Sequence, residues 1–193
     1  MSNRAINHIG IHVPDLDAAV KWYTKHFGFK QIRSNMSFDR TAMPSATIFR
    51  IYGNKLHKVE VAFLSASNDV GFELFQFIDP PMSEPSSFEY TRGGVFHIAV
   101  TDPDPVAVLE RVVQAGGKLI GEPVEIPRGE GHEKMVALYL QDPWGNVIEH
   151  GRSVGLIELI IAIAMLSLVF TAIALSIGID KRIRNYPAVS LLG

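Results

Sequence analysis

Apolar residues along the first 150 positions follow two periods in alternation, one near 3.6 and one near 2. Leu16, Ala19, Val20, Tyr23 and Phe27 fall at i, i+3, i+4, i+7 and i+11, one face of a helix. Asp15 stands where a cap belongs and Gly28 where the helix should end. A second helical pattern runs through Val106, Leu109, Val112 and Val113 and stops at Gly116-Gly117. Strand patterns follow each helix, over 30–35, 59–65 and 71–78 in the first set and 118–126, 135–141 and 146–150 in the second. Turn residues at Ser67-Asn68-Asp69 and at Asp142-Pro143-Trp144-Gly145-Asn146 separate the last two strands of each set.

The two sets are copies of one plan. His8-Ile9-Gly10-Ile11-His12-Val13-Pro14-Asp15 matches His97-Ile98-Ala99-Val100-Thr101-Asp102-Pro103-Asp104, a β-rich run ending in a Pro/Asp turn. In both, a glycine closes the helix 20 residues after the histidine, Gly28 after His8 and Gly117 after His97. The pattern predicts two tandem βαβββ modules, about 5–79 and 93–152, within one domain over 1–152. Residues 36–58 are an insertion in the first module. Ile48, Ile51 and Tyr52 share a face there, with Pro44 before them and Gly53 after, which favours a short helix over a strand. Asp79-Pro80-Pro81 to Gly93-Gly94 reads as the linker.

A net charge of −2 leaves no basic surplus for a phosphate backbone, so nucleic acid is not an expected partner. Cysteine is absent, which excludes disulfides, thiolate metal sites and a cysteine nucleophile. A hydrophobic content of 47% is high, and the excess is local: the 21 residues of 159–179 carry no charged side chain. A helix of that length spans roughly 31 Å, close to a bilayer's hydrocarbon thickness. The stretch 154–179 is therefore expected to be a hydrophobic, membrane-spanning helix, followed by a basic-flanked tail over 180–193 that begins with Lys181, Arg182 and Arg184. With no signal-like N-terminus, a cytoplasmic catalytic domain tail-anchored to a membrane is the expectation.

The chemistry is expected on the strands. Period-2 alternation puts His8, Gly10 and His12 on one face of the first strand. Glu73 shares its face with Phe75 and Phe77, and a lone acid in an apolar run is costly to bury unless something positive meets it. His97 and Glu149 are likewise the polar residues of their runs. A strand histidine taken alone is more often a packed core residue than a ligand. Four such residues at repeated positions read differently, because a divalent cation relieves the repulsion between two buried carboxylates.

These runs, with Trp22-Tyr23, Phe27-Gly28-Phe29, Phe72-Glu73-Leu74 and above all Asp142-Pro-Trp-Gly-Asn-Val-Ile-Glu149, resemble the vicinal oxygen chelate superfamily. Its members include glyoxalase I, methylmalonyl-CoA epimerase, extradiol dioxygenases and fosfomycin-resistance enzymes. The likeness covers residues 5–152 and does not extend to the tail. It implies an α+β fold whose two βαβββ modules form a curved mixed β-sheet around a metal site, the glyoxalase/bleomycin-resistance/dioxygenase fold. It also implies His8, Glu73, His97 and Glu149 as ligands of one divalent ion, whether zinc, nickel, manganese, iron or cobalt. The His-Glu-His-Glu set resembles glyoxalase I rather than the two-His, one-carboxylate iron site of extradiol dioxygenases.

The implied activity is proton transfer next to a carbonyl in a small substrate, a lyase, isomerase or epimerase reaction with Glu73 or Glu149 as the proton carrier. The alternatives are iron-dependent ring cleavage, disfavoured by Glu73, and non-catalytic binding of a small molecule, disfavoured by the intact ligand set. Related proteins build the site from one chain or from two, so a homodimer is expected without being required. His12 is a candidate beside the ligands. Arg128, and less specifically Arg40, Arg50, Lys55 and Lys58, are candidates for an anionic substrate group. His26, His57, His132 and His150 find no partner in the pattern and default to the surface.

Overall fold

A computed structural model describes residues 4–83, 88–91, 93–126 and 135–151. The expected apolar helix of 154–179, the tail after it, Arg128 and His132 lie outside the described residues. Among the described residues no helix is long and apolar enough to cross a membrane.

Each module opens with a strand and a capped helix. Strand β1 (His8–His12) leads into helix α1 (Leu16–Phe27), where the Asp15 carboxylate accepts from the Ala18 N–H at 2.9 Å. Gly28 ends the helix at φ 67°, in the left-handed region that favours glycine. Then come β2 (Lys30–Gln31), β3 (Met36–Asp39), helix α2 (Thr47–Tyr52), β4 (Lys58–Ser65) and β5 (Gly71–Asp79). The second module has β6 (Ile98–Thr101), α3 (Pro105–Gln114), β7 (Lys118–Ile126), β8 (Met135–Gln141) and β9 (Val147–Gly151). In α3, Asp104 caps Ala107 N–H at 3.0 Å and Pro105 starts the helix, where its missing N–H costs nothing.

The insertion holds both a strand and the favoured helix. Its strand β3 pairs with β4, while β2 is shorter than the alternation predicts. Arg40 braces the insertion: its guanidinium donates to the Leu56 and Gly53 carbonyls and lies over the Phe49 ring. That use makes it a structural clamp rather than an anion site. The buried stripe of α3 is also offset from the expected one. Pro105, Val108 and Val112 are buried, whereas Val106 and Val113 are about half exposed.

The strands form two separate mixed sheets rather than one curved sheet. The first has the order β1-β5-β4-β2 with β3 also on β4, and the second the order β6-β9-β8-β7. In each, the first strand joins the last in parallel and the remaining pairs are antiparallel. The main core lies where α1, α3 and the helix-side faces of both sheets meet, around Leu16, Tyr23, Leu64, Leu74, Val108, Leu138 and Leu140. Burial on this scale supplies the main driving force for joining the modules.

Polar contacts fix how the modules dock. Tyr23 Oη donates to Asp142 Oδ2 at 2.7 Å and Trp22 Nε1 donates to the Ala115 carbonyl at 3.2 Å. Asp142 also accepts from the Trp144 and Asn146 backbone N–H groups, so one buried carboxylate holds both the β8–β9 turn and α1. Burial raises the Tyr23 phenol well above its ordinary range and raises the Asp142 carboxyl as well. Gly117 lets the chain leave α3 closely: a Cβ there would sit 2.4 Å from Val112 Cγ1 and 2.7 Å from the Gln141 carbonyl oxygen.

Candidate metal centre

With α1 and α3 on one side, the expected ligands stand on the opposite faces of the two sheets, where α2 covers part of the first through Phe49. In β5, Phe72 and Leu74 point into the core, so Glu73, Phe75 and Phe77 point the other way. In β1 and the residue after it, Ile11 and Val13 are buried, while His8, Gly10 and His12 are exposed. The parallel register sets His8 opposite Gly71, and a Cβ at Gly71 would sit 2.9 Å from His8 Cβ. Glycine is what lets the imidazole lie along the strand. His8 Nε2 then comes to 3.8 Å from Glu73 Oε2.

The second module repeats the arrangement with one change. His97 lies just before β6 rather than within it, and its Nε2 is 3.1 Å from Glu149 Oε2. The Tyr139 hydroxyl donates to the same Glu149 oxygen at 2.8 Å, and its ring meets the His97 ring edge-on at 5.2 Å. Burial and the bond to Glu149 push the Tyr139 phenol up to about 12, so it is a donor at any physiological pH. Nothing in the pattern of apolar residues singled out Tyr139. The available signal was hairpin register: pairing Gln141 with Val147 across the turn places Tyr139 opposite Glu149.

Thus the four expected ligands meet as two pairs, not as one set. Among the described residues no group of three or more His, Asp or Glu comes together that could hold an ion. Each pair fits half of a coordination shell. Asn7 Oδ1, an acceptor, lies 2.8 Å from His8 Nδ1, a contact that suits the tautomer with Nδ1–H and with Nε2 free to face the Glu73 carboxylate. Two acceptors facing each other across 3.8 Å suit a cation between them. In the other pair, 3.1 Å matches the roughly 3.0–3.4 Å between neighbouring ligands bound about 2.1 Å from one ion.

His12 stays near but apart. It is exposed, its ring meets Phe77 edge-on at 5.0 Å, and it lines a cleft of about 470 Å³ between β1 and the linker, with His97 on the other side. His150 departs furthest from expectation. It is fully buried against Phe27, neither ring nitrogen has a partner among the described residues, and burial pushes its imidazolium down to about 4. It faces the core because it follows Glu149 by one residue, which in a strand means the opposite face. His26 is partly buried, with its imidazolium lowered by burial, and His57 is exposed as expected.

The fold has counterparts among known proteins. The family model described as Glyoxalase/Bleomycin resistance protein/Dioxygenase superfamily matches residues 5–150. The chain belongs to that superfamily. It is 26% identical over 150 residues to a probable lactoylglutathione lyase of Vibrio cholerae, covering 77% of this chain and 91% of the relative. A virulence protein of Salmonella typhimurium is 25% identical over 144 residues, covering 75% of this chain and 81% of that protein. Among solved structures, a glyoxalase family protein from Bacillus cereus superposes with a TM-score of 0.64 at 19% identity, over 79% of this chain and 97% of that one. At that identity the likeness concerns the fold alone. Superfamily members typically use a divalent metal, and glyoxalase relatives are often dimeric.

Proposed function

We propose that this protein is a metal-dependent enzyme of glyoxalase I type, acting on a small carbonyl substrate by proton transfer. Each centre would combine His8 and Glu73 of one copy with His97 and Glu149 of a second. The observation that carries this reading is that each pair lies on an open sheet face and is incomplete in its own chain. A twofold axis pairing the first module of one copy with the second of the other would complete two such centres at once. The exposed apolar residues near β1 and before β6, Ile6, Val95 and Phe96, suit burial in that contact.

A bound divalent cation supplies Lewis-acid polarisation of a carbonyl or enediolate oxygen. The chain's own groups do the remainder. His8 and His97 hold neutral nitrogens toward the centre. A partly buried carboxylate takes the proton from the carbon beside the carbonyl and returns it to the neighbouring carbon. Half-buried Phe63, Phe75 and Phe77, backed by α2 through Phe49, form a wall beside Glu73 that limits water. The resemblance to probable lactoylglutathione lyases supports the methylglyoxal–glutathione adduct as the first compound to try.

Metal analysis and that assay test the reaction, and complementation tests the shared centre. A chain carrying His8→Ala and Glu73→Ala, and one carrying His97→Ala and Glu149→Ala, should each be inactive. Mixed after dissociation, half the dimers would be hybrid with one intact centre each, restoring about a quarter of wild-type activity. No recovery in a verified hybrid dimer would refute the two-chain centre.

A further inference from the structure

Beside Glu73, the ligand-bearing face of the first module is built largely of rings. Alternation and register put His8, Gly10 and His12 of β1, Glu73, Phe75 and Phe77 of β5, and Val59, Val61 and Phe63 of β4 on it. None of these residues is a lysine or an arginine. Phe75 and Phe77 are only partly buried, and their rings lie 5.9 Å apart with planes 13° from parallel. His12 of β1 meets Phe77 at 5.0 Å and 72°, and Tyr52 of α2, still 49% exposed, meets it at 5.8 Å and 81°. Two nearly parallel rings and two crossing ones make an aromatic box. Phe63 is not part of it, because the Arg33 guanidinium lies over its ring at 5.2 Å. Gly10 opens the way in: it is the register partner of Glu73, and a Cβ there would come within 3.3 Å of the Phe75 ring.

We propose that Phe75, Phe77, His12 and Tyr52 form a specificity subsite for the part of the substrate beyond its carbonyl, and that this part is an uncharged aromatic ring. This rests on the four-ligand reading above, which sets the carbonyl beside Glu73. Glu73, Phe75 and Phe77 are alternate residues of one strand, so successive side chains stand roughly 7 Å apart. A ring attached directly to the carbonyl carbon reaches the first phenylalanine without a spacer. Stacked and edge-to-face contacts are both on offer there, and ring pairs prefer these two geometries. A carboxylate or phosphate in the same place would lose its water and find no cation on the face to replace it. Partly exposed aromatic surface continuous with a polar centre is the composition of a ligand pocket rather than of solvent-facing strand.

The test is calorimetric binding to the zinc-loaded protein with two probes, acetohydroxamate and benzohydroxamate. Both chelate a divalent ion through two adjacent oxygens, and only the second carries a ring. Benzohydroxamate should bind about 10–100-fold more tightly, from the added apolar area and the ring contacts. Tyr52→Ala and Phe77→Leu, checked for folding by circular dichroism, should each cut that preference by about threefold to tenfold and leave acetohydroxamate affinity unchanged. A carboxylate added to the ring, as in 4-carboxybenzohydroxamate, should weaken binding by about tenfold. Equal affinity for the first two probes, an undiminished preference in both variants, or tighter binding of the carboxylated ring would each overturn the proposal. A side chain of a second copy filling the box would show as the first of these outcomes. Zinc uptake with no binding of either probe would overturn the subsite and leave the four-ligand reading standing. A wild-type protein that takes up no zinc would overturn the four-ligand reading, and this proposal with it.

Discussion

The two modules solve one problem in opposite ways. In the first, the imidazole is held and the acid is loose: Asn7 takes His8 Nδ1 at 2.8 Å, while among the described residues Glu73 has no close donor. In the second, the acid is held and the imidazole is not: Tyr139 and His97 both reach Glu149, while His97 Nδ1 is buried without a partner among the described residues. The helix sides differ as well. The residue after the acid is Leu74 in the first module and His150 in the second, both fully buried. A repeated backbone plan therefore carries unequal side-chain environments. Equivalence in sequence position does not imply equivalence in chemistry.

The largest expected effect attacks the pinned acid. Glu149→Gln should lose most of its metal affinity and about 10²–10⁴-fold in turnover, since it removes a charged ligand that the Tyr139 hydroxyl already orients. Wild-type zinc content in that variant would erase the contrast between the modules.

The next effect is on pH and separates Leu74 from His150. Unfolded imidazole takes its proton near its ordinary value of 6.5, whereas folded His150 stays neutral until about 4. Its folded-state value is lowered, so its contribution to stability is complete above 6.5 and is lost as pH falls toward 4. The loss can reach about 3 kcal/mol. Urea unfolding across pH 4–7 measures it. His150→Leu, which gives the second module the first module's type of residue, should flatten that slope. It should also gain about 1–2 kcal/mol at neutral pH by removing two unpartnered nitrogens.

A smaller effect tests the offset helix stripe. Val108→Ala should cost about 2 kcal/mol and Val106→Ala less than about 0.5 kcal/mol, because one is fully buried and the other half exposed. Equal costs would return the buried face to where the helical period alone puts it. The smallest effect loosens the modules from each other. Tyr23→Phe should cost about 1 kcal/mol, since Asn146 Nδ2 still donates to the same Asp142 oxygen at 2.8 Å. A thermal melt with two resolved steps would show that this bond, more than the shared core, makes the modules one unit.

Much of the fold was legible in the residues. Asp15, Gly28 and Asp104 mark helix ends through local hydrogen bonds and backbone conformation, which neighbours in sequence decide. The faces of β1 and β5 follow from period-2 alternation, so the open-face placement of His8 and Glu73 could be read directly. Tyr139 was within reach by counting across the Asp142–Asn146 turn, but its value depends on a hydroxyl meeting one carboxylate oxygen. Arg40 could not be read as a clamp, because its acceptors, the Gly53 and Leu56 carbonyls, are freed only once the insertion has folded.

By itself, then, the sequence determined the repeated βαβββ plan, the helix caps and the strand faces on which the four expected ligand donors were placed, all of which depend on contacts a few positions apart. The tertiary structure alone decided that the donors meet as two pairs, that the sheets are separate, that His150 is entombed and that the acids are unequal. The physical reason is common to all four. They depend on how two modules, joined by a long linker, turn their helix faces to one another, and no periodicity along one strand carries that orientation.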